Sequence, residues 1–431
     1  MTLWIRPFFS PLCALALLCS LSETASSQGG PTDPPDLVFS PPRDIVGLSA
    51  SFYIPSTCAA TDAFGRILLV FQRGKTTENE NDPMYVVSWD RGETFSAPVN
   101  LYRRDGSPLF GIWPLCYGDR FGNFFVFWED FLQGKVRLLL RWSRDGGRHF
   151  SDVIIVEPSL NAGLVSPRAG VDASGIVHLS YNNITNGILR ALYRRSHESV
   201  KPGFAVGLTR TAYPLTFTSP VEVSDPAYGG YAHDMIVDDA GAVWIIWDER
   251  SQSGNHALVA RSDDGSSFQP SVKVDPPWFS SYGTSLAMGP ENEVYASVHA
   301  YDGSCVCDME VYFTTSFDRG ASFDPLINLS NDDLPSAVMT LQPAMQVDGS
   351  GRIHRLWAYA NGLPVLFYYT HTASSMPLFS HPRIIPDRTP EQKSGASWAV
   401  DKNGSVNLFW TAYASDGSVF VRYSRGEPKP K

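Results

Sequence analysis

The chain has 431 residues, 43% of them hydrophobic and 13% aromatic, with 32 Pro and 35 Gly, which suits a large packed core with many tight turns and excludes disorder beyond the ends. A formal net charge of −10 argues against nucleic acid as a partner, because a basic footprint would be required. Any anionic ligand would need local arginines.

Arg6 precedes an apolar stretch from Phe8 to Leu21, followed by small polar residues and Ala25-Ser26-Ser27. This reads as a secretory signal peptide over residues 1–27, with one domain over 28–431 and a secreted or extracytoplasmic destination. The apolar run is too short to span a bilayer comfortably, and no later run approaches that length, so no membrane association is expected after cleavage. Cys58, Cys116, Cys305 and Cys307 remain, and secretion permits disulfides. Cys58 and Cys116 each stand just before the turn of consecutive repeats, so a bridge between adjacent inner strands and a pair of free thiols are both open. Cys305-Val306-Cys307, near Asp302 and Asp308, reads as a strained bridge, a metal loop or a surface disulfide.

From Phe52 onward the chain repeats. Phe52 to Ala60 is a strand (A), Asp62 to Gly65 a turn, Arg66 to Gln72 a strand (B), Met84 to Ser88 a strand (C), and Ser88 to Phe95 a hairpin into an outer strand (D). The A–B turn recurs at Asp62, Asp119, Asp172, Asp238, Gly289, Asp348 and Asp401, at intervals of 51 to 66 residues. That period suits one four-stranded blade per repeat and predicts an all-β, seven-bladed β-propeller. The aromatic start of strand D recurs at Phe95, Phe150, Phe217, Phe268, Phe323 and Phe379, and is missing after the last repeat. Phe39-Ser40-Pro41-Pro42 resembles Phe95-Ser96-Ala97-Pro98, so the N-terminal segment is expected to supply the outer strand of the last blade and close the ring.

Four C–D hairpins read SWDRGETF (88–95), SRDGGRHF (143–150), SDDGSSF (262–268) and SFDRGASF (316–323). They resemble the Asp-box, or BNR repeat, of the sialidase superfamily, over essentially the whole mature chain. The aspartates Asp90, Asp145, Asp264 and Asp318 read as turn residues, each bonding its own backbone, with glycine supplying positive φ. The resemblance implies more in the first repeat. FYIP at 52–55, LLVFQRGK at 68–75 and then Asp82 are similar to the opening of a sialidase, which carries the second-strand arginine over to Arg73 and the acid/base aspartate to Asp82. Tyr53 stands where the family has a carboxylate-binding arginine, and a phenol cannot replace a bidentate guanidinium. The catalytic sialidases have six blades and an arginine triad; the count here is seven, and Arg168 alone stands near the start of a strand A. Tyr282, in Tyr282-Gly283-Thr284-Ser285-Leu286, resembles the setting of the family's tyrosine nucleophile.

In a propeller the A–B and C–D turns share one face, so a site belongs on the other, at the B–C and D–A loops. Arg168 in blade three, Tyr231, His233 and Asp234 in blade four, and Tyr282 in blade five should line one sector of that mouth. An arginine for a carboxylate beside His and Tyr able to exchange protons suits an acidic sugar; the alternative is that these groups only satisfy one another in a narrow channel. Carboxylates stand at the ends of strand B, Glu129-Asp130 and Asp248-Glu249-Arg250, and two facing one pocket would fit glycoside hydrolysis; a salt bridge through Arg250 is the plain alternative. Trp113, Trp278, Phe279 and Trp398 would stack sugar rings or pack between blades. Asn183, Asn328 and Asn403 begin glycosylation sequons.

The residues therefore point to a secreted, monomeric, sialidase-like propeller acting on extracellular carbohydrate as a glycoside hydrolase or uronate lyase. The candidate catalytic residues are Asp82, His233, Tyr282 and Glu249, and the candidate binding residues Arg73, Arg168, Tyr231, Asp234, Arg250 and Glu129. No cofactor or metal is expected, and the partner is carbohydrate, including acidic glycans. A non-catalytic glycan- or protein-binding propeller and a structural scaffold are the competing readings.

Overall fold

The computed structural model describes residues 37–75, 81–102, 113–132, 134–161, 165–202, 215–251, 254–276, 280–301, 310–330, 338–339, 345–359, 366–372, 379–380, 382–385 and 392–428. The expected leader, Cys305-Val306-Cys307, Trp278 and Phe279 lie outside them, as does the Tyr282 side chain. The described chain forms seven antiparallel sheets arranged as a β-propeller. Strand B, the most apolar, runs Ile67–Lys75, Phe124–Leu132, Ile176–Thr185, Val243–Ser251, Val294–Tyr301, Ile353–Tyr359 and Val406–Tyr413 in blades one to seven, each between its own strands A and C.

Ring closure follows the sequence expectation. Leu37–Phe39 and Arg43–Leu48 both pair antiparallel with Val419–Pro428, strand C of blade seven, so the N-terminal segment supplies that blade's outer strand. Phe39 packs edge-on to Tyr369 of blade six, ring centroids 6.1 Å apart. The first and last blades thus share a sheet-bordered interface and leave no open edge there.

The turns form as their residue types dictate. Asp62 Oδ1 accepts the N–H groups of Phe64 and Arg66 at 2.9 and 3.0 Å, and Asp119, Asp172, Asp238, Asp348 and Asp401 repeat this cap at the other A–B turns. In the first serine-led hairpin, Ser88 Oγ donates to Asp90 Oδ1 at 2.8 Å and accepts the Gly92 N–H at 2.7 Å, while Thr94 N–H donates to Asp90 at 2.9 Å. The same contacts hold Asp145 and Asp318.

The core lies between blades rather than within them. Seven clusters of buried side chains fill the seven junctions, for example Leu68, Val70, Tyr85, Val126 and Trp128 between blades one and two and Leu356, Phe367, Trp398, Leu408 and Trp410 between six and seven. Each fully buried large side chain contributes roughly 1.5 to 3 kcal/mol. Trp398 is among them, so it is a packing residue and presents no ring to a sugar; Trp113 is exposed.

Candidate functional site

The residue ten positions after each A–B turn marks the far end of strand B. In blades one to seven it is Gln72, Glu129, Asn182, Asp248, His299, Ala358 and Thr411, and the six polar ones are buried. At three consecutive junctions this residue receives the chain arriving for the next blade. Val165 N–H donates to Glu129 Oε1 at 2.8 Å, Ala232 N–H to Asn182 Oδ1 at 2.8 Å, and Gly283 N–H to Asp248 Oδ2 at 3.3 Å. Each of these backbone N–H groups thus finds a buried side-chain acceptor, which is what polar residues at these positions supply.

Strand A of blade four, Tyr231–Val237, is bulged. Tyr231 pairs with Asp248, Ala232 with Trp247 and Asp234 with Ile246, so His233 is the extra residue. A bulge of this kind re-aims a side chain, and here it sends His233 Nε2 to 2.6 Å from Asp248 Oδ2. His233 Nδ1 and Asp248 Oδ1 are buried and have no partner among the described residues. The Tyr231 ring meets His233 edge-on with centroids 4.6 Å apart, and its hydroxyl contacts Ser166 Oγ. Burial pushes the Tyr231 hydroxyl up, against the pull of Ser166 and Arg168. Burial also lifts Glu129 to about 7, although the Val165 and Ser166 N–H groups oppose it.

Arg168 and Asp234 lie deeper. Arg168 Nη1 donates to Pro167 O at 2.9 Å, its Nε is 3.8 Å from Asp234 Oδ1, and its Nη2 has no partner among the described residues. Burial works against the Arg168 charge, but Tyr117, Asp234 and Tyr231 outweigh it and hold its pKa above the ordinary value. Asp234 Oδ2 accepts from Ser285 Oγ and Leu286 N–H, both at 3.0 Å, which ties blade four to blade five. Arg168 and Asp234 face a cavity of about 280 Å³ in the central channel, together with Tyr117, Gln346, Cys58 and Cys116.

The other expected residues stand apart from this cluster. Arg73 and Asp82 are opposite each other across strands B and C of blade one and form an ion pair, with the Arg73 guanidinium also 5.3 Å from the Phe52 ring centroid. Tyr53 packs over Gly74 and its hydroxyl donates to Asn81 Oδ1 at 3.3 Å. Glu249 alternates with Asp248 along strand B and so points to the other face; burial and the Asp225 charge raise its pKa, offset by His256 and Lys273. Arg250 is exposed and makes no ion pair among the described residues. Asp130 is paired with Arg137. The Tyr282 backbone pairs with His299.

A second buried group adjoins His233 and was not anticipated. Arg355, fully buried in strand B of blade six, donates through Nε to Ser297 Oγ at 2.8 Å and through Nη1 to Leu356 O at 2.6 Å, while its Nη2 lies 2.6 Å from His299 Nε2. Burial brings Arg355 down to about 9. Burial, Arg355 and His233 together hold His299 well below the ordinary histidine range, so it stays neutral. The signal was in the sequence: seven residues after the turn the other blades carry Leu69, Val126, Leu179, Ile245, Ala296 and Leu408, all apolar, where blade six has arginine. No group of His, Cys, Asp and Glu suited to a metal ion occurs among the described residues.

Solved structures share this fold. An ulvan lyase of a new polysaccharide lyase family, bound to a glucuronate-containing oligosaccharide, superposes with a TM-score of 0.54 at 10% identity, over 87% of this chain and 95% of its own. The α-L-arabinanase of Penicillium chrysogenum, complexed with arabinobiose, gives 0.50 at 11% identity, over 92% and 99%. The endosialidase of phage phi92 gives 0.50 at 10% identity, over 92% of this chain and 70% of that one. No protein-family model and no curated protein matches the chain. At these identities the likeness is one of fold, and the chemistry has to be argued from the side chains.

Proposed function

We propose that the protein is a secreted, monomeric propeller that acts on an acidic extracellular carbohydrate, as a glycoside hydrolase or uronate lyase, at the mouth formed by blades two to five. The observation that carries this reading is the Asp248–His233–Tyr231 alignment, with a 2.6 Å contact from Asp248 to His233 and the tyrosine ring against the imidazole. A carboxylate that orients an imidazole leaves its other nitrogen for proton transfer, and His233 Nδ1 is that nitrogen. Arg168 supplies the cation for a sugar carboxylate through Nη2. Glu129, with a pKa of about 7, holds or releases a proton near neutral pH. Tyr282 is kept, on the sequence resemblance alone, as a further proton donor in this reading. The three carbohydrate-active structures described above support a carbohydrate substrate on this architecture, and the ligand of the ulvan lyase contains glucuronate. This reading assigns no role to Arg73 and Asp82, which pair with each other, to Glu249, which alternates with Asp248 along its strand, or to the exposed Arg250.

A second reading, a non-catalytic glycan-binding propeller, is favoured by one observation. Glu129 and Asp248 already accept backbone N–H groups from the next blade, which is what a purely structural clasp requires. The two readings separate on incubating the purified mature protein with sialosides, neutral glycosides and uronate polymers while following reducing ends and unsaturated-product absorbance. Turnover confined to acidic substrates is expected. Binding without turnover would favour the second reading, and neither binding nor turnover of any acidic glycan would remove both.

A further inference from the structure

Cys58 and Cys116 occupy strand A of blades one and two, two of the innermost strands of the ring. Both are buried. Their Sγ atoms are 2.6 Å apart, closer than non-bonded sulfurs approach, and the Cys116 N–H points at Cys58 Sγ from 2.9 Å. The strands that carry them are fixed independently: Cys58 is paired with Val70 and Cys116 with Val126, each within its own sheet. The two sulfurs are therefore brought together by two separately registered sheets rather than by a loop that could drift. Both also border the cavity in the central channel, so a small reagent has a path to them.

We propose that Cys58 and Cys116 form a redox site, oxidised in the mature protein to a disulfide that joins blades one and two inside the channel. The reaction is thiol–disulfide exchange with an external disulfide, of the glutathione or oxidoreductase class. One thiolate attacks the external disulfide, giving a mixed disulfide and releasing one thiol. The second thiolate then displaces the remaining external sulfur, so the protein loses two protons and two electrons while the external disulfide is reduced to two thiols. The bond closes a long loop and restricts the unfolded chain, as cross-links of this length do. It also fixes the channel wall beside Arg168, which lines the same cavity.

The test uses the full-length mature chain folded in a glutathione redox buffer. The protein is denatured and alkylated with iodoacetamide, with and without prior reduction, then digested and mapped by mass spectrometry. Without reductant, the peptides containing Cys58 and Cys116 should be found joined and unalkylated; after reduction, both should be alkylated. Alkylation of both cysteines in the unreduced sample, or linkage of either one to Cys305 or Cys307, would overturn the proposal. The outcome is independent of carbohydrate turnover, so failure here leaves the functional reading intact.

Discussion

The hydroxyl of Tyr193 lies 2.7 Å from Nδ1 of His178 in the body of blade three. The other imidazole nitrogen lies 3.3 Å from Asp172, the A–B turn residue. Blade six repeats the arrangement with Tyr369, His354 and Asp348 at 2.7 and 3.1 Å, and blade seven has Asn407 in place of histidine, accepting from Tyr423 at 2.8 Å. These are the three blades without a serine-led hairpin of their own. The Tyr193 hydroxyl fits against Gly265 in the hairpin of blade four, and that of Tyr423 against Gly92 in the hairpin of blade one. A buried polar lock thus serves where the hairpin is missing.

Removing one hydroxyl from such a lock leaves a buried imidazole nitrogen unsatisfied, at a cost of roughly 1 to 3 kcal/mol. Tyr193→Phe and Tyr369→Phe should each lower the urea midpoint accordingly; unchanged midpoints would show that the lock adds nothing. Acid should weaken the same locks. Burial lowers the His354 pKa, against the Asp348 contact, so the unfolded chain takes up that proton first and stability falls as the pH drops below the ordinary histidine value. Burial alone would raise Asp172 and Asp348, but hydrogen bonds led by His178 and His354 bring both to about 2. Their contribution is complete above the ordinary carboxylate range and is lost as the pH falls toward 2. The decline between pH 7 and pH 5 should be shallower in His354→Gln, measured by urea unfolding at each pH.

Glu129 runs the other way. Its folded pKa of about 7 exceeds the ordinary 4.5, so the folded state binds the extra proton. Its contribution is complete below about 4.5 and is lost as the pH rises through about 7. Glu129→Gln keeps an acceptor for the Val165 N–H and should flatten this loss between pH 5 and pH 8. An unaltered pH dependence would show that Glu129 is already ionised in the fold.

Glycine is required where the hairpin meets the next side chain. Gly92 has φ +90° and a Cβ there would fall on the Tyr423 hydroxyl, whereas Gly134 has φ +78° with nothing within 4 Å. Both alanine variants carry the backbone strain of positive φ, about 1 kcal/mol. Only Gly92→Ala adds a steric clash at the blade seven junction, so its melting temperature should fall well below that of Gly134→Ala. Equal losses would mean the junction yields freely.

The ring depends on its N-terminal strands. Deleting residues 28–46 removes Leu37–Phe39 and most of Arg43–Leu48, the partners of strand C in blade seven. Thermal unfolding of the truncated protein should begin at a clearly lower temperature and lose cooperativity. A melting curve superimposable on that of the intact chain would contradict closure by this segment.

The architecture was legible because it repeats: seven evenly spaced turns, six of them led by aspartate, apolar strands between them and a displaced Phe39 leave little freedom for another arrangement. The site was less so. Period-two alternation assigns faces in regular strands, but a bulge resets the phase, and His233 joins Asp248 only because strand A is bulged there. Glu249 was grouped with Asp248 as its neighbour in sequence, although adjacent strand residues face opposite ways. Arg355 was visible as a charge within Ile353-His354-Arg355-Leu356-Trp357, yet its meeting with His299 depends on inter-blade packing that no local pattern encodes. Arg73 and Asp82 were selected by resemblance, and their register pairing gives them to each other.

The central claim is that His233, oriented by Asp248, transfers a proton on an acidic carbohydrate. Its most direct test compares wild type and His233→Ala on one panel of sialosides and uronate polymers, with thermal unfolding as the control for folding. Wild type should release product from at least one acidic substrate, and the variant should lose roughly 100-fold or more of that rate while still unfolding in one cooperative transition above the assay temperature. Equal turnover by the two proteins would contradict the account.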